Sequence, residues 1–136
     1  MKYYAILDTN VLVSSMLKGM SIPGIIVNHA INGSIIPVVN NEILKEYQEV
    51  LLRKKFSFPK QDVIALINEL KKHAIFLERT ISNELFNDPD DIVFYEITLT
   101  AKNNYSSAYL ITGNKKHFPI KTFIVTPREM LDIIGE

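Results

Sequence analysis

The sequence predicts an α/β fold: a three-layer α/β/α sandwich around a central, mostly parallel sheet of four to five strands. Three observations predict it. Short apolar runs alternate with longer segments of helical periodicity along the whole chain. The short runs are almost wholly apolar, as in strands covered on both faces, and do not alternate with polar residues. The helical stretches carry their own capping and stop signals.

Residues 2–7 (KYYAIL) are aromatic and aliphatic, as in a buried strand, and Asp8-Thr9-Asn10 ends them. Residues 10–18 read as a helix stopped by Gly19, and a second helix runs from Ile22-Pro23 to Gly33. Residues 35–39 (IIPVV) form the next strand. Pro37 lacks a ladder donor, which predicts an edge position or a late start. Asn40-Asn41 caps a long helix over residues 42–55, with Ile43, Leu44, Tyr47, Val50 and Leu51 at helical spacing. Pro59 opens another helix that ends in Lys71, Lys72 and His73, cations suited to a helix C-terminus. Residues 74–77 are a third strand. Asp88-Pro89-Asp90-Asp91 starts a helix that reaches about residue 103. Residues 108–112 (AYLIT) and 122–125 (TFIV) complete the sheet, and Pro127 opens a closing helix through residue 134. In such a sheet ligands bind beyond the carboxyl ends of the strands, near a reversal of strand order.

With 136 residues, 47% of them apolar, the chain fits one domain spanning residues 1–136. It has no cysteine, which excludes disulfides and thiolate metal sites and suits the cytosol. The first apolar run is cut short by Asp8, so no secretory signal is read. No apolar stretch approaches the ~20 residues that a membrane span needs. Fifteen basic residues balance fifteen acidic ones, so any nucleic-acid contact must be a local patch.

The acids are distributed tellingly. Asp8 ends the first strand. Glu42, Glu46 and Glu49 lie on the helix after the second strand, Asp88, Asp90 and Asp91 open the helix before the fourth, and Thr112-Gly113-Asn114 follows the fourth. A parallel sheet brings all four places to one edge. Converging carboxylates raise one another's pKa and oppose folding unless a hard cation neutralises them. Mg²⁺ or Mn²⁺, with oxygen ligands, suits such a site and also suits phosphodiester hydrolysis.

Each of these residues has a plainer reading. Asp8 could cap its helix, Asp88 and Asp90 serve as cap and dipole residues, and Glu42 and Glu49 are ordinary surface acids. Asn114 beside Gly113 is turn chemistry. His29, His73 and His117 are spread apart without ligand spacing, and His117 alone lies near the site. Lys18 and Arg53-Lys54-Lys55 are solvated charge, while Lys115-Lys116 beside the fourth motif could steer phosphate.

Residues Leu7-Asp8-Thr9-Asn10-Val11-Leu12-Val13-Ser14 resemble the opening motif of PIN domains. Glu42-Ile43-Leu44-Lys45-Glu46-Tyr47 resembles the second motif of the PIN branch known as toxin components of toxin–antitoxin pairs. Asp88-Pro89-Asp90-Asp91 resembles the third, and Leu110-Ile111-Thr112-Gly113-Asn114 with Phe118 and the 125–129 tail the fourth. The motifs occur in order over nearly the whole chain.

The resemblance implies a metal-dependent endoribonuclease acting on single-stranded RNA, often a homodimer and often held by a cognate antitoxin. It places catalytic roles on Asp8, Glu46, Asp91 and Asn114, with Asp8, Glu46 and Asp91 as metal ligands. Asn10 and Thr112 would orient the acids by hydrogen bonds, flanked by Asp88 and Glu42, and Lys115 and Lys116 would meet substrate. Asn114 departs from the acid found in many relatives, which implies one firmly held ion. It also leaves open a non-catalytic RNA-binding module with a degraded metal site. A receiver or haloacid-type phosphatase fits less well. The first wants an adjacent acidic pair near the start, and the second wants an acid where Asn10 stands.

Overall fold

A computed structural model describes residues 1–136. Five strands form one parallel sheet in the order β3-β2-β1-β4-β5. The chain starts at the centre with β1 (Tyr3–Leu7) and passes through α1 (Thr9–Leu17) and α2 (Ile22–Asn32) to β2 (Ile35–Val39). It continues through α3 (Asn41–Leu51) and α4 (Lys60–His73) to β3 (Ile75–Phe76) at one edge. Then it returns through α5 (Pro89–Asn104) to β4 (Ala108–Ile111) on the other side of β1, and ends with β5 (Ile124–Val125) and α6 (Pro127–Ile134).

Outward and return crossovers of the same right hand place α1–α4 on one face and α5 on the other. The packing agrees: α2 touches α1, α4 and α6, while α5 crosses β1, β2 and β4. The predicted three-layer α/β arrangement is therefore present. Strand order reverses between β1 and β4, so the crevice lies beyond Leu7 and Ile111, which pair in register. No single helix is long and apolar enough to cross a membrane.

Local chemistry explains the helix ends. Ser21 caps α2 through a hydrogen bond from the Gly24 amide, and Gly33 closes it at φ 85°, a conformation glycine adopts without strain. Gly24 also allows the α1–α2 corner to close, since a Cβ there would stand 2.0 Å from the Gly19 carbonyl oxygen. Asn40 caps α3 by accepting from the Ile43 amide at 2.8 Å. α6 begins with a full capping box between Thr126 and Glu129.

Two expectations need correction. β2 is not an edge strand, since β1 and β3 flank it. β3, however, pairs only with Val38 and Val39. The Val39 carbonyl points toward β3, accepting from the Leu77 amide, and Pro37, two residues earlier, faces the same side. The proline thus lies where the neighbouring strand has not yet begun, so its missing donor leaves no gap in the ladder. The helix expected over residues 42–55 stops at Leu51. A separate 3₁₀ turn, Lys54–Phe56, follows and ends at Ser57 with φ 56°.

One continuous apolar core joins β1, β2 and β4 to the helices, with Ala5, Ile6, Ile35, Val38, Leu110 and Phe94 fully or almost fully enclosed. Tyr47 of α3 is buried in it and donates its hydroxyl to the Leu7 carbonyl. This bond fixes α3 against the end of β1, one residue before Asp8. Removing the hydroxyl leaves a buried carbonyl without that donor. Tyr47→Phe should cost about 1–2 kcal/mol, read as a lower urea midpoint with an unchanged slope.

Candidate active site

The β1–β4 register sets Asp8 beside Thr112. The Asp8 amide donates to the Ile111 carbonyl at 2.9 Å, and the Thr112 amide to the Val125 carbonyl at 2.9 Å. Thr112 then donates its hydroxyl to Asp8 Oδ2 at 2.7 Å, and Asn10 donates its amide to the same oxygen at 3.2 Å. The turn after β4 is tied in as well: the Asn114 amide donates to Thr112 Oγ1 and the Gly113 amide to Asn10 Oδ1.

Asp8 stands at the N-cap position of α1 yet makes no side-chain capping bond. Its carboxylate is instead held in the crevice at 8% exposure. Burial raises its pKa. Hydrogen bonds from Thr112 and the Thr9 backbone and the nearness of His117 oppose the rise, and Asp88 adds to it.

α5 brings in the second acid. Asp88 caps it, accepting from the Asp90 amide at 2.9 Å. Asp91, one turn in, has a side chain only 16% exposed. Burial, then Asp8 and Asp88, push its pKa up to about 6 against the opposing pull of His117. His117 Nδ1 lies 3.9 Å from Asp91 Oδ2, and the Asn114 side-chain nitrogen lies 3.2 Å from His117 Nε2. Asp8, Asp91, Asp88, Asn10, Thr112, Asn114 and His117 thus form one neighbourhood at the switch in strand order.

Glu46 stands apart from Asp8. Its pKa is raised by burial and then by Asp90, with Arg53 opposing and Asp88 and Glu49 adding. With Glu42, Glu49, Lys45 and Asp90 it lines a cleft of about 250 Å³ between α3 and α5. Asp88 acts on both groups, contributing to the shifts of Asp8, Asp91 and Glu46.

Glu42 is turned to a different task. It accepts from Arg79 at 3.0 Å, and Arg79 also binds Glu96 at 2.7 Å. Glu96 is buried on α5. Burial alone would raise its carboxyl, but the Ser82 amide and the Arg79 guanidinium outweigh it and hold the group below the ordinary range. This bridge pins residues 79–82 onto α5 and links α5 to α3. Of the expected lysine pair, Lys115 binds Glu129 of α6 at 3.0 Å, and Lys116 lines a second cavity beside Asp91.

The site supplies hard oxygen donors. No three of its carboxylate and imidazole groups stand close enough together to hold an ion as a finished set. Mg²⁺ and similar ions need less than that, since one or two carboxylates with water and substrate phosphate suffice. Asp8 and Asp91 supply carboxylates of that kind at the switch in strand order. Both side-chain donors to Asp8 act on Oδ2, so Oδ1 has no side-chain donor.

Among known families the chain matches the PIN domain over residues 4–116. It belongs to that family, whose members are generally nucleases and typically use divalent metals. Comparison with curated proteins and comparison with solved structures each gave no match.

The pKa of Asp91 fixes a pH dependence. The group binds its proton more tightly folded (about 6) than in its unperturbed state (3.8). Its favourable contribution is therefore complete below about pH 4 and is lost as pH rises through 6. An enclosed group shifted this far would account for about 3 kcal/mol, and solvent screening at this partly open site reduces that to about 1 kcal/mol. Asp91→Asn should stabilise the metal-free protein by that amount at pH 8 and leave it unchanged at pH 4, as measured by thermal melts at both values.

Proposed function

We propose that the protein is a divalent-metal-dependent endoribonuclease that hydrolyses single-stranded RNA and serves as the toxin of a toxin–antitoxin pair. One observation carries this reading. A buried carboxylate, Asp8, is held by Thr112 and Asn10 without capping its helix, close enough to a second carboxylate, Asp91, to add to the rise that burial causes in its pKa. An idle pair of this kind opposes folding. A pair that shares a cation does not.

In this reading Asp8 and Asp91 hold Mg²⁺ or Mn²⁺. The chemistry such an ion would supply there is a lowered pKa for water and relief of the charge that builds up on phosphate. Thr112 and Asn10 fix the orientation of Asp8, a role that needs hydrogen bonds and no charge. Asp88 links this pair electrostatically to Glu46, which completes the acidic rim from α3. Asn114 places an amide where many relatives carry an acid, consistent with a single firmly held ion. The resemblance to toxin-type PIN domains supports a cognate antitoxin and a homodimer, and the absence of cysteine suits a cytosolic setting.

The competing reading is an RNA-binding module without turnover. It draws on Asn114 and on the lack of a finished three-ligand set. End-labelled single-stranded RNA distinguishes the two. Internal cleavage should require Mn²⁺ or Mg²⁺, stop with EDTA, and fall by about 10²-fold or more in Asp8→Asn, which should also relieve growth arrest on expression. RNA that is bound but never cut above a mock-purified control, with EDTA making no difference, would favour the module.

A further inference from the structure

Two clefts flank the start of α5, and they differ in charge. The one toward α3 is lined by Glu42, Glu46, Glu49 and Asp90 with Lys45, and Arg79 pairs with Glu42 at its border. The other is a cavity of about 280 Å³ between residues 84–88 and 116–119, bordered by Asp88 and Asp91. Lys116 and His117 line it, and its one additional acid, Glu84, lies 3.7 Å from the Lys121 ammonium. Both linings carry more acid than base, and by lining residues the second cleft is the less acidic, so a polyanion meets less repulsion there than in the first.

The lining of the second cavity is also aromatic. Phe86 is held against Tyr95 at 5.5 Å and edge-on to Phe118 at 6.0 Å between ring centres. Buried Phe118 fixes the floor, while Leu85, 96% exposed, adds an apolar side chain without protein packed over it. Asn87 adds an amide with both donor and acceptor capacity. An aromatic face, a lysine and an amide beside the acid pair make up the chemistry that recognises a nucleotide with an unstacked base.

We propose that this cavity is a nucleotide subsite. The base of an RNA residue flanking the scissile phosphate stacks on Phe86, and Lys116 contacts the backbone phosphate. The RNA strand therefore crosses the molecule on the Lys116 side of α5 and avoids the α3–α5 cleft. This rests on the ribonuclease reading and adds to it the path of the substrate and its place of base contact.

The test uses full-length Asp8→Asn protein, so that no cutting intervenes. The probe is a single-stranded RNA oligonucleotide with a fluorescent end label and one internal 2-aminopurine. Lys116→Glu should weaken binding by about tenfold or more, and Phe86→Leu should abolish quenching of the 2-aminopurine while weakening binding about tenfold. Leu85→Asp, on an exposed side chain that carries no core packing, should weaken it similarly. Lys45→Glu in the acidic cleft should stay within about twofold.

The reverse pattern, with Lys45→Glu weakening binding and Lys116→Glu neutral, would overturn the subsite. So would equal loss on a blunt duplex of the same sequence, which marks a general phosphate patch. If the unsubstituted protein cuts RNA in Mn²⁺ while the Lys116, Phe86 and Leu85 variants bind like the parent, the subsite alone falls. If RNA is neither bound nor cut, the ribonuclease reading falls with it.

Discussion

The hydrogen bond from Thr112 to Asp8 is the contact on which the rest of the site depends. It joins the ends of β1 and β4, the two strands between which the order reverses, and it holds a carboxylate in the crevice that this reversal opens. Asp8 could have spent its oxygens on the first amides of α1, as acids at that position commonly do. The register of Leu7 with Ile111 supplies the Thr112 hydroxyl as a donor, and of the first amides of α1 only that of Thr9 acts on the carboxylate. Asn10 and the amides of Gly113 and Asn114 then lock the two turns together.

A carboxylate held this way acts on its surroundings. Burial raises the pKa of Asp91 and Asp8 adds to it, while burial, Asp90 and then Asp88 raise that of Glu46 on the neighbouring helix. Elsewhere the protein neutralises its buried acid with its own cation: Glu96 has Arg79 and the Ser82 amide. Asp8 makes no ion pair, and the one that Asp91 makes is with His117 at 3.9 Å. The contrast within one chain separates an acid used for structure from acids that await an external positive charge.

Much of this was readable from residue order. The alternation of apolar runs and capped helices predicts the layers, and Asp8 at a strand end predicts a carboxylate in the crevice. Pro37 misleads because a missing donor excludes a central position only where the neighbour is already paired at that level, and β3 starts one residue too late for that. Arg79 lies in a segment without periodicity, so nothing local points to its partners. Glu96 left a usable signal: a charge inside the apolar run from Ile92 to Ile97 requires a counter-ion. Lys115 and His117 differ only in what three-dimensional packing brings to them, Glu129 in one case and Asp91 in the other.

The central physical claim is that Asp8 and Asp91 share one electrostatic field that a cation relieves. Carbon-detected NMR titration of the aspartate carboxyls measures this directly. In metal-free protein Asp91 should titrate near pH 6, fall part of the way toward the ordinary aspartate range in Asp8→Asn, where burial and Asp88 still hold it up, and fall further when Mg²⁺ is added to the unsubstituted protein. An Asp91 that titrates like a free aspartate, indifferent to both the substitution and the ion, would contradict it.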